Sequence, residues 1–283
     1  MESKWQRRRI LIWGKTRPEL SKTYKEIVCT GGVFEDTKQL VRLYPIPLRY
    51  MDDEKIFSKY QLIDAFVAKS PNDSRPESYK IRFDGIQTGL TLSPNNQWAE
   101  RAAYVLQPGN IFQSVEAIQE RQRDDNTSLG LVKPAIVSQV RAEKLNQNER
   151  DKFWRDYQQA IKQMDLPLDT NPSHQVKPLS PPDYRYKIQF RCDDDRCLQD
   201  HNFSVLDWEI DALYFRMRRK GKSPESASKD VVDKLNDVCA QDKDLYFFLG
   251  NISTHPNVFT IVGLWYPKKK LGPSQPNFLD QLP

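Results

Sequence analysis

Residues 26–49 hold the pattern that most narrows the folds open to this chain. Two β-branched, apolar runs, Ile27-Val28-Cys29-Thr30-Gly31-Gly32-Val33-Phe34 and Gln39-Leu40-Val41-Arg42-Leu43-Tyr44-Pro45-Ile46, flank the polar turn Glu35-Asp36-Thr37-Lys38. The second run alternates, which places Arg42 and Tyr44 on one face of a strand and Val41 and Leu43 on the other. The segment therefore reads as a β-hairpin with a cation and an aromatic ring side by side on its open face. That pairing suits nucleic acid, where arginine meets phosphate and a ring stacks on a base. It equally suits an ordinary half-buried sheet, where long basic and aromatic residues pack well without any ligand.

The neighbouring residues extend the β reading. Arg9 to Trp13 reads as a short strand, Tyr60 to Lys69 as an apolar strand ended by Ser70-Pro71-Asn72-Asp73, and Glu77 to Phe83 alternates again. In the last run Tyr79, Ile81 and Phe83 share one side and Lys80 and Arg82 the other. Several short strands separated by turn chemistry predict a small barrel or a strongly bent sheet, and an OB-like barrel is the natural candidate. Charge singles out the same region. Residues 1–90 carry 17 Lys+Arg against 12 Asp+Glu, a difference of +5, which is the whole net charge of the chain. A polyanion would be attracted most strongly there.

From Pro94 to about Arg150 the pattern turns helical and polar. Trp98, Ala102 and Val105 share a helix face, Pro108-Gly109 breaks it, and Ile111, Val115 and Ile118 resume the spacing. Leu129 to Pro134 reads as a tight apolar turn, and a third helix runs from about Gln147 through Phe153, Trp154, Tyr157 and Ile161. Residues 165–183 hold five prolines and no periodicity, as a linker would. Beyond them Tyr184 to Phe190 alternates as a strand. Ile210, Leu213, Tyr214 and Met217 mark a helix over 207–219, with acids in its first turn, bases in its last and Gly221 to cap it. Ser223-Pro224-Glu225 starts another, and 244–249 and 258–265 read as strands. The expectation is an α+β chain: an OB-like barrel (1–94), a helical connecting region (95–164), a Pro-rich linker (165–183), a C-terminal mixed α/β domain (184–267) and a tail (268–283). No apolar run approaches the ~20 residues of a membrane helix and no signal peptide is read at the N-terminus. A cytoplasmic protein with reduced thiols and no membrane partner is expected.

One cluster has metal-ligand character. Cys192, Cys197 and His201 can share a tetrahedral zinc, with Cys239, a carboxylate or water as the fourth ligand. The same residues also fit a polar loop with two incidental thiols. Just downstream, Asp207 and Glu209 flank Trp208. As a catalytic pair they would activate water for a hydrolysis, Asp207 being the better base if burial raises its basicity. As plain helix residues, Asp207 is a cap and Glu209 a first-turn acid. The chain lacks the P-loop, dinucleotide, zincin and nucleophile-elbow motifs.

The segments Lys15-Thr16-Arg17, Val28 to Gly32, Val41 to Arg49, Tyr60 to Ile63 and Arg75 to Ser78 together resemble the dual OB-domain proteins of prokaryotic conflict systems. The resemblance covers roughly the first 90 residues, and extends to Ser128 to Pro134 at most. It implies nucleic-acid recognition in bacterial anti-phage defence, with DNA rather than RNA as the expected form. On that reading the contacting residues are Lys15, Arg17, Arg42, Tyr44, Arg49, Arg75, Lys80 and Arg82. Two alternatives stay open: a DNA-acting hydrolase, either a base-excising glycosylase or a nuclease, built on Asp207 and Glu209, and a protein-interaction module with no nucleic-acid partner.

Overall fold

The computed structural model describes residues 4–21, 24–164, 179–180, 182–197, 199–252 and 254–269. Most of the Pro-rich stretch and all of the tail beyond Lys269 lie outside them.

The first strand, β1 (Gln6–Lys15), is followed by β2 (Glu19–Ser21), β3 (Lys25–Phe34), β4 (Leu40–Ile46), β5 (Gln61–Lys69), β6 (Ser78–Ile81) and β7 (Gln87–Thr91). Five of these close a barrel. β1 pairs antiparallel with β3 and β5, β3 with β4, β4 in parallel with β6, and β6 with β5. The order β1-β3-β4-β6-β5 with a single parallel contact is OB-like, and full closure leaves no open edge among the five. β2 and β7 are additions on β3 and β5. The alternation of β4 holds: Val41 and Leu43 fill the barrel with Ile10, Ile12, Val28, Phe34 and Ile63, while Arg42 and Tyr44 lie outside it.

The unbroken apolar run Ile10-Leu11-Ile12-Trp13 has a specific cause. A strand buried on both faces loses its alternation. Ile10 and Ile12 enter the barrel core, whereas Leu11 and Trp13 point outward into a second cluster shared with Leu129, Leu131, Phe248, Val262 and Trp265.

That second cluster is the seam with the rest of the chain. α1 (Asn95–Val105), β8 (Ile111–Phe112), α2 (Val115–Asp125), β9 (Leu129–Val132), β10 (Pro134–Lys144) and α3 (Gln147–Met164) lead to β11 (Tyr184–Cys192), β12 (His201–Ser204), α4 (Trp208–Arg219), α5 (Pro224–Val238), β13 (Tyr246–Ile252) and β14 (His255–Trp265). The sheet β14-β13-β9-β8 lies between the barrel and the C-terminal core. Phe248 and Val262 face the barrel, while Phe247, Leu249, Phe259 and Ile261 face a core built from α2, α4, α5 and the sheet β10-β11-β12. Trp13 stacks on Phe248 with ring centroids 4.0 Å apart and donates from Nε1 to the Gly32 carbonyl at 2.9 Å. Gly31 makes the stacking possible, because a Cβ there would lie 2.2 Å from Trp13 Cζ2.

The helical middle is shown only in part. α1, α2 and α3 form, but residues 129–132 and 134–144 are strands, so the expected turn at Leu129 to Pro134 is β9 running into β10. Two register irregularities against β11, at Pro134/Ile136 and Val137/Gln139, destroy the period-two signal of β10. The C-terminal elements form as expected. Asp207 caps α4, Ser223 caps α5 with Pro224 in its first turn, and Gly221 adopts φ +84° after α4.

Candidate functional site

The outer face of β3 and β4 carries a cleft of about 440 Å³, bounded by Glu19 on β2, Cys29 on β3, Arg42 and Tyr44 on β4, Asp73 and Arg75 in the β5–β6 loop, and Ile252 and Thr254 at the β13–β14 turn. In an OB barrel this face and the loops beside it are the ligand-binding surface. Tyr44 is 42% exposed and is among the residues that line the cleft.

Arg42 is not on an open face as the hairpin alone predicted. Its exposure is 7%, because Ser128 of the seam covers it. Arg42 Nη2 donates to the Ser128 carbonyl and Oγ, both at 3.3 Å, and Nη1 approaches Cys29 Sγ at 3.5 Å. Ser128 in turn donates from its backbone N–H to Glu77 Oε1 at 3.0 Å and from Oγ to Glu77 Oε2 at 2.8 Å. Arg75 is held in a two-pronged pair with Asp73 and donates from Nη1 to the Asn251 carbonyl at 3.0 Å.

The other expected nucleic-acid contacts do not join this cleft. Lys15 donates to the Phe57 carbonyl at 2.9 Å, and burial lowers its pKa. Arg17 pairs with Asp211 at 3.2 Å and lies against Phe153 and Phe215, fastening the barrel to α4. Arg49 pairs with buried Glu26 at 2.5 Å. Arg82 stacks on Trp5 at 4.6 Å, and Lys80 sits opposite Ala68 on the barrel wall. The structure thus gathers Arg42, Tyr44 and Arg75 and disperses Lys15, Arg17, Arg49, Lys80 and Arg82.

Asp207 and Glu209 meet a residue that the sequence did not single out. Lys59 Nζ lies 3.2 Å from Asp207 Oδ2 and 3.1 Å from Glu209 Oε2. Burial works against the Lys59 ammonium, but the pull of Asp207 and then of Tyr60 and Glu209 outweighs it and its pKa is raised. Asp207, 2% exposed, also accepts from the Glu209 backbone N–H at 3.0 Å as the cap of α4. Both of its carboxylate oxygens are therefore engaged.

Cys192, Cys197 and His201 come together at the end of the β11–β12 hairpin. Of the expected fourth ligands the structure supplies a carboxylate, Glu116 in the first turn of α2, and the four donor atoms lie within 4.8 Å of one another. His201 Nε2 is 3.3 Å from both Cys197 Sγ and Glu116 Oε1. The Cys192 N–H donates to Cys197 Sγ at 3.2 Å, and Glu116 Oε2 is buried without a partner among the described residues. Burial pushes the Cys192 thiol up to about 12 and His201 down. This group can hold a metal ion. Cys239 instead ends α5, where burial pushes its thiol up to about 12. An acid in a helix's first turn is ordinary dipole complementation, so nothing in the sequence marked Glu116 as a ligand.

Residues 6–107 match a domain of unknown function, DUF8758, and residues 111–283, more than half of the chain, match another, DUF8757. The two matches meet at the Pro108–Asn110 turn between α1 and β8. The chain belongs to the DUF8757 family. A comparison with curated proteins finds no match.

Asp207→Asn keeps a side chain that caps well but leaves the Lys59 ammonium with only the exposed Glu209. Denaturant unfolding should show a loss of roughly 3 kcal/mol, as for a broken buried pair, partly restored in the double variant with Lys59→Met. An Asp207→Asn protein that keeps its stability but loses a DNA-directed activity would instead assign Asp207 to chemistry.

Proposed function

We propose that this chain binds single-stranded nucleic acid, DNA in the first place, in the cleft over β3 and β4. The observation that carries the reading is the OB-ordered barrel whose ligand face keeps an exposed ring, Tyr44, beside two guanidinium groups, Arg42 and Arg75. A ring serves any base through its π-face, and arginine serves the backbone, so this combination favours a flexible strand over a duplex. The excess of basic residues in 1–90 supports the same reading through long-range attraction. The resemblance of those residues to dual OB-domain proteins supplies the proposed setting, recognition of invading DNA within the bacterial cytoplasm.

Tyr44→Ala removes an exposed ring and leaves the barrel core untouched. Fluorescence anisotropy with a labelled single strand should show an affinity loss of about 1–3 kcal/mol, the weight of one stacked base, with unchanged melting. Equal affinity for Tyr44→Ala and the parent protein would overturn the proposal.

We further propose that Glu116, Cys192, Cys197 and His201 hold a structural zinc. Zinc bonds of ~2.3 Å to sulfur and ~2.0–2.1 Å to nitrogen at tetrahedral angles put donor atoms about 3.5 Å apart, close to the 3.3 Å between Cys197 Sγ and His201 Nε2. The unpartnered Glu116 oxygen and the backbone N–H aimed at Cys197 Sγ fit ligands that carry negative charge. Four protein ligands close the coordination sphere, which suits a staple between α2 and the β11–β12 hairpin. Elemental analysis of untagged protein should give near-stoichiometric zinc, and Cys197→Ser should remove it and lower the melting temperature. Metal-free protein whose melting is unchanged by chelator would contradict the site.

A further inference from the structure

Resting on the nucleic-acid reading, we propose that the cleft takes the phosphate-bearing end of a single strand rather than a strand running across the barrel. An OB groove that passes a continuous strand must be open along the barrel face. Here the face is walled by the second part of the chain. Ser128 is fully buried over Arg42, the Asn251 N–H donates to the Ser128 carbonyl at 3.2 Å, and Ile252 and Thr254 stand at the rim. What is left is a pocket of about 440 Å³, in the range that encloses a small ligand.

The more buried of the two guanidinium groups lining that pocket is Arg42. Arg42 is more than nine-tenths buried, and its Nε–H has no hydrogen-bond partner among the described residues, although both terminal nitrogens are engaged. Its terminal nitrogens meet only the uncharged Ser128 and Cys29, with no carboxylate within ion-pair distance among the described residues, so a phosphate in the pocket would supply the missing counter-charge in a setting of low dielectric. The acids of the pocket oppose an anion only weakly. Asp73 is neutralised by the two-pronged pair with Arg75, and Glu19 stands exposed at the start of β2, where water screens its charge. Tyr44 at the mouth is placed to stack on the terminal base while the phosphate sits at Arg42. A strand end satisfies both contacts at once, whereas an internal phosphate would have to carry chain onward past Ile252 and Thr254, which line the cleft on that side.

The test is competition against a labelled linear strand bound to the full chain. The competitors are one thymidine-rich sequence as a closed circle, as a linear strand with hydroxyl ends, and as linear strands phosphorylated at the 5′ or at the 3′ end. A phosphorylated linear strand should compete about tenfold or more better than the circle, a difference of about 1.4 kcal/mol. The better of the two phosphorylated strands tells which end enters. Equal competition by circle and linear strands would overturn the strand-end proposal while leaving nucleic-acid binding intact. Absence of any binding would overturn both. Thr254→Trp, which fills the rim from an exposed position, should weaken the phosphorylated strand about tenfold without shifting the melting temperature. Unchanged affinity in that variant would place the ligand elsewhere and overturn the proposal.

Discussion

The stacking of Trp13 on Phe248 holds the two parts of this protein in one register, and the geometry of the candidate site depends on it. Trp13 leaves the barrel wall through the space that Gly31 opens and meets a strand of the C-terminal sheet, where Gly263 leaves room beside its ring. An indole buried this fully contributes roughly 3–5 kcal/mol relative to alanine. The contact is apolar and centred, with Leu11, Val33, Leu131, Val262 and Trp265 around it, so the two parts form one continuous core structure rather than modules on a tether.

The seam has a polar margin, and that margin borders the candidate site. Glu77 and Arg42 of the barrel both bind Ser128, the residue just before β9, and Arg75 binds the Asn251 carbonyl on β13. In a low-dielectric setting such a network is worth most when every member is satisfied. Two atoms are not: Arg42 Nε–H and Asn251 Oδ1 are buried without a partner among the described residues. The seam thus bounds the barrel face with Ile252 and Thr254 and leaves a pocket lined by Arg42 and Arg75.

Much of this was legible in the sequence and some was not, for physical reasons. The β3–β4 hairpin, the α4 and α5 caps and the C-terminal strands are written in local chemistry: alternation, cap residues, a proline at a helix start. The Cys192, Cys197 and His201 grouping was visible because the three lie on one hairpin. Glu116 was not, since it reaches the group only through the packing of α2 on the C-terminal core, and Lys59 was hidden for the same reason. Arg42 and Tyr44 share a strand face as alternation required, yet only the seam decides that one is buried and the other exposed. β10 escaped because its bulges erase its periodicity, and the scattered fates of Lys15, Arg17 and Arg49 show that a basic residue in a β-rich segment serves docking as readily as ligand binding.

The central claim is that nucleic acid occupies the walled face of β3 and β4. Its most direct measurement is photocrosslinking of a single strand carrying 5-bromodeoxyuridine, with mass-spectrometric mapping of the adducts. Adducts on Tyr44, with Tyr79 beside it in the same cleft, are the predicted result. Adducts confined to the far surfaces, such as Trp154 on α3 or the outer face of β10, would contradict the account.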